Sequence, residues 1–300
     1  MIESERKQII DLVRREVIPA IGCTEPIAVA LCVAKTVETL GTKPENIKVF
    51  LSANILKNAM GVGIPGTGMI GLPIAVALGA IIGKSEYQLE VLKDSTPEAV
   101  KLGKQYINEK RVCISLKEGI VEKLYIEVLC EAEGKVATAI IAGGHTTFIY
   151  IARGEEILFS KQPVGTEEQD EENLDLNLKK VYDFALTAPL EEIRFILETA
   201  RLNKAAAESS FQGDYGHALG KVLRGRYEHQ IMGDSVFSHI LSYTSAACDA
   251  RMAGAMIPVM SNSGSGNQGI SATLPVLIFA EENGKSEEEL IRALMLSHLT

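Results

Sequence analysis

The sequence has no tryptophan, and only 5% of its 300 residues are aromatic. Its five cysteines are spread along the chain, and none of them belongs to a C-x-x-C pair. This spacing excludes a disulfide scaffold and a zinc finger, and it favours a reducing, cytoplasmic location. Basic residues are in deficit, since 30 Lys and Arg stand against 39 Asp and Glu. Because no basic run occurs either, we predict no nucleic-acid partner.

Signals for secretion and for membrane insertion are also missing. The first residues, MIESERK, are too polar for a signal peptide. Two stretches, 58–83 and 252–280, contain no charged residue, but glycine-rich loops interrupt both. The longest apolar run that remains in the first has roughly 14 residues, which suits a buried helix better than a membrane span. We therefore predict no membrane association.

The period of the apolar residues changes along the chain. A helical period predicts helices over 4–17, 26–40 and about 70–82, and again near 188–208, 234–257 and 286–299. A short strand is expected at 47–51. From Arg111 the period is 2, which predicts a compact antiparallel meander. We predict an α+β fold with a largely helical body and an inserted antiparallel β module.

These periods also suggest domain boundaries. Residues 1–110 and 174–300 are assigned to the two parts of the helical body, and residues 111–165 to the β module. The acidic run 165–175, GTEEQDEENLD, is interpreted as a solvated linker.

One hexapeptide occurs twice. PIAVAL stands at 26–31 and at 73–78, and 275–278 is a looser copy. In each case a loop of small or polar residues is expected to enter a helix that has proline in its first turn. The free N–H groups of such a helix start attract anions.

Cys23 lies just ahead of the first of these helices, in IGCTEPIAVAL. A helix start favours the thiolate, which is the form that binds metals and electrophiles. The alternative is a buried structural cysteine, the commonest fate of a free thiol. We expect core packing for Cys32 and Cys130, while Cys113 and Cys248 have no recognisable chemical context.

Two glycine loops, GVGIPG (61–66) and GSGNQG (264–269), match G-x-G-x-x-G. Neither has the strand and βαβ unit that a dinucleotide site needs. Their polar neighbours could instead hold a small carboxylate or amino group, the alternative being tight turns that need positive φ. The candidate substrate-binding residues are Asn54, Asn58, Thr67, Ser263, Ser265 and Asn267.

His145 follows two glycines at a sharp connection between predicted strands. It is either a general base or a turn histidine in water.

Several long motifs together resemble one family. GCTEPIAVAL, SANILKNAMGVGIPGTGMIGLPIAVALGA, EVLKDSTPE and MSNSGSGNQGISATLPV occur in order along nearly the whole chain. They resemble the L-serine dehydratase α-chain-like family, and within it the cysteine desulfidases, which are iron–sulfur L-cysteine desulfhydrases. The resemblance implies a [4Fe–4S] lyase that eliminates sulfide from L-cysteine, or water from L-serine. It also implies that Cys23 is a cluster ligand.

The resemblance further suggests roles for two side chains. We prefer His145 as the base that removes the substrate α-proton and Lys57 as the partner of the substrate carboxylate, although Lys57 could be the base if it lost its proton. The loops 54–68 and 261–269 are expected to line one pocket within roughly 15 Å of Cys23. The expected partner is a small amino-acid substrate, and self-association is left open.

One departure from the family concerns the end of the chain. Family members continue into a glycine- and alanine-rich segment that contains Cys-Gly-Cys, whereas this sequence ends inside an amphipathic helix, SEEELIRALMLSHLT. We therefore expect a C-terminally truncated chain whose other cluster ligands are not found by motif. The alternative function is a non-catalytic small-molecule-binding or regulatory domain that lacks a complete cluster.

Overall fold

The structure is a computed structural model that describes residues 2–161, 176–225 and 232–300. The fold is α+β, as predicted. The helices are α1 (Glu3–Glu16), α2 (Thr24–Leu40), α3 (Ala53–Ala59), α4 (Leu72–Ile81), α5 (Pro97–Asn108), α6 (Leu178–Thr187), α7 (Leu190–Ile193), α8 (Leu197–Gln212), α9 (Leu219–Val222), α10 (Val236–Met252), α11 (Gly266–Glu282) and α12 (Glu287–Leu299). The strands are β1 (Pro19–Ile21), β2 (Asn46–Leu51), β3 (Gly63–Ile64), β4 (Met69–Ile70), β5 (Val112–Leu116), β6 (Tyr125–Ala132), β7 (Lys135–Ala142), β8 (Phe148–Arg153), β9 (Glu156–Ser160) and β10 (Pro258–Met260).

The chain divides into two compact units. The sheet unit comprises Ile21–Glu167 and Ala253–Met256, and the helical unit comprises Met1–Ala20, Glu168–Met252 and Ile257–Thr300. The chain passes from one unit to the other near residues 20 and 167. The predicted domain boundaries 1–110, 111–165 and 174–300 stay a prediction. The predicted linker 165–175 lies outside the described residues.

The sheet unit is built on a six-stranded sheet with the order β5-β2-β6-β7-β8-β9. The strands β6 to β9 form the predicted antiparallel meander. At the other edge the sheet differs from an inserted module, because β2 lies between β5 and β6 and pairs in parallel with β5. A parallel pair needs a long crossover, which the helices between β2 and β5 provide.

Helix α2 packs between the sheet and α4. The thiol of Cys32, on α2, lies 3.4 Å from the carbonyl oxygen of Ala139 on β7. On the other side, a Cβ added at Gly79 of α4 would lie 2.6 Å from the Ala30 carbonyl oxygen. The two copies of PIAVAL are therefore on helices that touch each other. Gly41, in the left-handed conformation, ends α2 as expected.

The segment after β2 differs from the prediction. Residues 54–68 were predicted to be a loop, but Ala53–Ala59 form α3, and the Ser52 side chain caps this helix by accepting from the Ile55 N–H. The prediction failed because the segment is too short to show a helical period, whereas a single capping serine is enough to start a helix. Asn54, Lys57 and Asn58 are consequently helical residues.

In the helical unit, α1, α8, α10, α11 and α12 surround one apolar core that includes Ile9, Phe184 and Leu274. The predicted proline at the start of α11 is a second difference. Ser265 caps this helix at Gly266, and Pro275 lies inside it. Proline has no N–H, so the carbonyl of Ser271 lacks its usual helical partner there. Within the described residues, no helix is long and apolar enough to cross a membrane.

Candidate functional site

Cys23 is the N-cap residue of α2, and 8% of its surface is exposed. Its thiol makes no capping bond to the helix backbone, and its Sγ donates to the carboxylate of Glu25 at 3.0 Å. The residue before it, Gly22, has φ of 79°, and a Cβ there would lie 2.4 Å from the ring of Pro65. Glycine is therefore required where the cysteine loop meets the first glycine loop.

Glu25 collects hydrogen bonds from two elements. Its carboxylate accepts from the Cys23 thiol, from the Thr24 hydroxyl at 3.2 Å, and from the Asn58 amide of α3 at 3.3 Å. Burial acts to raise the pKa of Glu25, but the hydrogen bonds and the nearby His145 outweigh burial, and the pKa is lowered. Glu25 is therefore ionised at neutral pH.

His145 lies in the connection between β7 and β8 and is half-buried. Its charge is one of the causes that lower the pKa of Glu25. Hydrogen bonds join Cys23, Glu25 and Asn58, and His145 acts on Glu25 through its charge. We call these four residues the cysteine cluster. Imidazole, carboxylate and thiol together can accept, hold and donate protons.

The other sequence candidates near this cluster differ in their surroundings. Lys57 and Asn54 are exposed on α3. Thr67 lies in the turn between β3 and β4, where its hydroxyl donates to the Ile64 carbonyl at 2.8 Å and accepts from the Met69 N–H at 2.9 Å. The hydroxyl of Thr67 therefore stabilises a turn, whatever else it contacts.

The second glycine loop belongs to the helical unit. Asn262 and Ser265 exchange backbone hydrogen bonds across a tight turn, in which Ser263 and Gly264 have positive φ. Ser265 caps α11 by accepting from the Gln268 N–H, and Ser263 donates to the Asn262 side chain. Asn267, in the first turn of α11, accepts from Arg251 at 2.9 Å.

A buried polar network holds this loop in place. The Nδ1 atom of His298 accepts from the Asn262 amide at 3.2 Å, which assigns the proton to Nε2, and Nε2 donates to the Thr273 hydroxyl at 3.0 Å. Asn203 donates to the same hydroxyl at 3.0 Å and accepts from the Met260 N–H. Burial lowers the pKa of His298 to about 4, so the network is neutral at pH 7.

The other four cysteines have surroundings that differ from those of Cys23. Cys32 and Cys130 are fully buried, and burial raises the pKa of Cys32 and raises that of Cys130 to about 12. Both are core residues, as predicted. Cys113 is exposed on β5, and Cys248 lies in the helical unit.

The [4Fe–4S] cluster that the resemblance implies needs several thiolate ligands. Cys23 fits as one ligand, because it is a thiol at a helix start. Among the described residues, no group of three or more His, Cys, Asp or Glu side chains could hold a metal ion. The described part of this chain therefore does not form a complete cluster site.

Sequence reasoning overlooked two of the residues described above. Glu25 stands inside the GCTEP motif, and a carboxylate two residues after a helix-capping thiol was the available signal. Arg251 directly precedes the uncharged stretch 252–280, and its burial gave no signal in the sequence. The expectation that loops 54–68 and 261–269 share a pocket stays a prediction, since they belong to different units.

Comparison with known proteins identifies the family. Residues 86–300 match the model of the serine dehydratase alpha chain. A UPF0597 protein of Bacteroides fragilis is 83% identical over the whole chain, and one of Porphyromonas gingivalis is 48% identical; this chain spans 70% of the length of each. No solved structure matches. The chain belongs to the serine dehydratase alpha-chain family.

Proposed function

We propose that the protein is an α,β-elimination lyase that acts on a small amino acid, L-cysteine or L-serine. The observation that carries this proposal is the cysteine cluster, in which a thiol is hydrogen-bonded to an ionised carboxylate at a helix start and an imidazole acts on that carboxylate through its charge. Membership of the serine dehydratase alpha-chain family supports a lyase. The cysteine cluster supplies the proton chemistry that such an elimination requires.

In the proposed reaction, His145 accepts the α-proton of the substrate, and the bond from Cβ to sulfur or oxygen breaks as the Cα–Cβ double bond forms. The protonated His145 gives its proton to the leaving group, which departs as hydrogen sulfide or water, and the aminoacrylate product takes up water to give pyruvate and ammonia. Lys57 is proposed to pair with the substrate carboxylate, because an exposed ammonium on α3 stands one turn from Asn54 and next to Asn58. Glu25 orients the Cys23 thiol by accepting its hydrogen bond, and Asn58 holds the Glu25 carboxylate by donating to it.

We further propose that Cys23 is one ligand of a [4Fe–4S] cluster. Its other protein ligands would come from a segment like the additional length of the relatives or from a second polypeptide. Free cysteines and such a cluster both suit the reducing cytoplasm, where we place the protein.

The test is anaerobic reconstitution with iron and sulfide, followed by iron analysis and assays for pyruvate with L-cysteine and with L-serine. It uses this chain and the longer Bacteroides fragilis relative in parallel. In the relative, Cys23→Ala should remove the bound iron and the turnover together. The matched control is Cys32→Ala, which should keep both and cost about 1 kcal/mol of unfolding free energy as a small core truncation.

Two outcomes would contradict the proposal. A Cys23→Ala protein that retains iron and turnover would show that Cys23 is not a ligand. A wild-type relative that binds no iron and releases no pyruvate from either substrate would favour the alternative, a non-catalytic small-molecule-binding or regulatory domain.

A further inference from the structure

Arg251 is a buried cation at the end of α10. Only 4% of its surface is exposed, and its Nη1 donates to the side-chain oxygen of Asn267 at 2.9 Å. Its Nε is buried and has no hydrogen-bond partner among the described residues. Nor does any described carboxylate lie within ion-pair distance of it. A buried charge without a counter-charge is costly, so this arrangement needs an explanation.

The guanidinium lies against the first residue of α11. A Cβ added at Gly266 would be 2.2 Å from Arg251 Nε and 2.8 Å from its Cζ, so only glycine fits there. Helix α11 has 17 residues, and Gly266, against which Arg251 lies, belongs to its first turn, where the backbone N–H groups have no partner within the helix. The positive end of its dipole therefore adds to the positive charge of Arg251.

Part of this charge is compensated within the protein. Arg251 lies in the last turn of its own helix, where the carbonyl end of the dipole favours a cation. Asn267 contributes a neutral oxygen. Neither supplies an acceptor for Nε, and the N–H groups of Gly266 and Asn267 have no acceptor among the described residues.

We propose that the helical unit contains a binding site for a small carboxylate, formed by the guanidinium of Arg251 and the amino-terminal end of α11. A carboxylate carries the missing negative charge and has two oxygens. One can accept from the planar guanidinium and the other from the helix N–H groups. The small exposed fraction of Arg251 favours a ligand of few atoms. This site uses only residues of the helical unit and does not depend on the proposed elimination.

The experiment follows the side-chain Nε–H signals of isotope-labelled arginine by NMR in the 300-residue protein. Acetate, pyruvate, phosphate and chloride are added in turn at matched ionic strength. The Arg251 signal should shift and saturate with acetate and pyruvate but not with chloride. In Arg251→Lys, carboxylate affinity should fall by about tenfold or more, because lysine cannot form the planar, two-point contact.

Arg292→Lys is the matched control. Arg292 is also largely buried, but its guanidinium already donates to the carbonyls of Ala185 and Ala188 and pairs with Glu288. This variant should bind carboxylate as the wild type does. If Arg251→Lys does not fold, the wild-type titration decides the question.

Three results would overturn the proposal: no saturable shift with either carboxylate, saturation by phosphate but not by carboxylates, or unchanged affinity in a folded Arg251→Lys protein. None of them depends on turnover. A protein that eliminates sulfide or water but binds no carboxylate here would retain the proposed function and lose this inference.

Discussion

At the scale of single residues, the start of α2 brings two acidic groups to one positive helix end. The Glu25 carboxylate carries the negative charge, and the Cys23 thiol donates a hydrogen bond to it. A metal or an electrophile at Cys23 must therefore displace a proton that Glu25 helps to hold. Sequence position alone suggested a stabilised thiolate, and the neighbouring carboxylate is what that interpretation omitted.

Replacing Glu25 by glutamine tests this arrangement. The Glu25 carboxylate lies 3.0 Å from Cys23 Sγ, and the neutral amide removes its negative charge. Loss of the thiol proton therefore becomes easier. We expect alkylation of Cys23 by a small electrophile at neutral pH to accelerate by about threefold to tenfold. Residue-resolved mass spectrometry measures the rate, and exposed Cys113 provides the internal control. Equal Cys23 rates in both proteins would mean that the carboxylate does not govern the thiol.

At the scale of elements, long periodic segments were predictable and short ones were not. Helix α2 shows an apolar period over several turns and a glycine at its end, so the sequence located it to within two residues. Helix α3 has seven residues and depends on the single cap Ser52. The parallel pairing of β2 with β5 arises from contacts between segments far apart in the chain, which no local pattern records.

The close contact between α2 and α4 gives a prediction at this scale. Alanine in place of Gly79 should raise helix propensity by about 1 kcal/mol. Its Cβ, however, would lie 2.6 Å from the Ala30 carbonyl oxygen and 3.0 Å from the Ala30 Cα, and backbone atoms cannot move aside cheaply. We expect a net loss of about 1–3 kcal/mol in unfolding free energy, measured by urea denaturation.

Gly61→Ala is the control for this substitution, since no atom lies within 4 Å of an added Cβ at that position. It should change the free energy of unfolding by less than about 1 kcal/mol. A Gly79→Ala protein as stable as the wild type would show that α2 and α4 can separate without cost.

At the scale of the whole molecule, the candidate residues are divided between two units. The cysteine cluster belongs to the sheet unit, whereas the loop 261–269 and Arg251 belong to the helical unit. Motif reasoning found most of the candidate residues, because loops with glycine, cysteine and proline have distinctive sequences. It did not find the network of Asn203, Thr273 and His298, because these residues come from three helices and meet only in the folded unit.

This network makes stability depend on pH. The pKa of His298 is about 4 in the folded protein against 6.5 in the unfolded chain. Between these values the unfolded chain binds a proton that the folded protein does not, so stability falls as pH drops from 6.5 toward 4. From pH 7 to about pH 5, His298 should cost the folded protein about 2 kcal/mol. His298→Gln removes this titration, and the wild type should therefore lose about that much more unfolding free energy than the variant does.

Urea denaturation of both proteins at the two pH values measures this difference. His239→Gln is a control with the opposite sign, since hydrogen bonding to Glu282, with a further contribution from Asp234, raises the pKa of His239 against the opposing effect of burial. The stabilisation from His239 is present at acid pH and is lost as pH rises through its folded pKa. His239→Gln should therefore lose more unfolding free energy than the wild type does when the pH falls.

If the wild type and His298→Gln lose stability equally between pH 7 and about pH 5, His298 is not held neutral in the folded protein. The network would then accept a proton without loosening the loop.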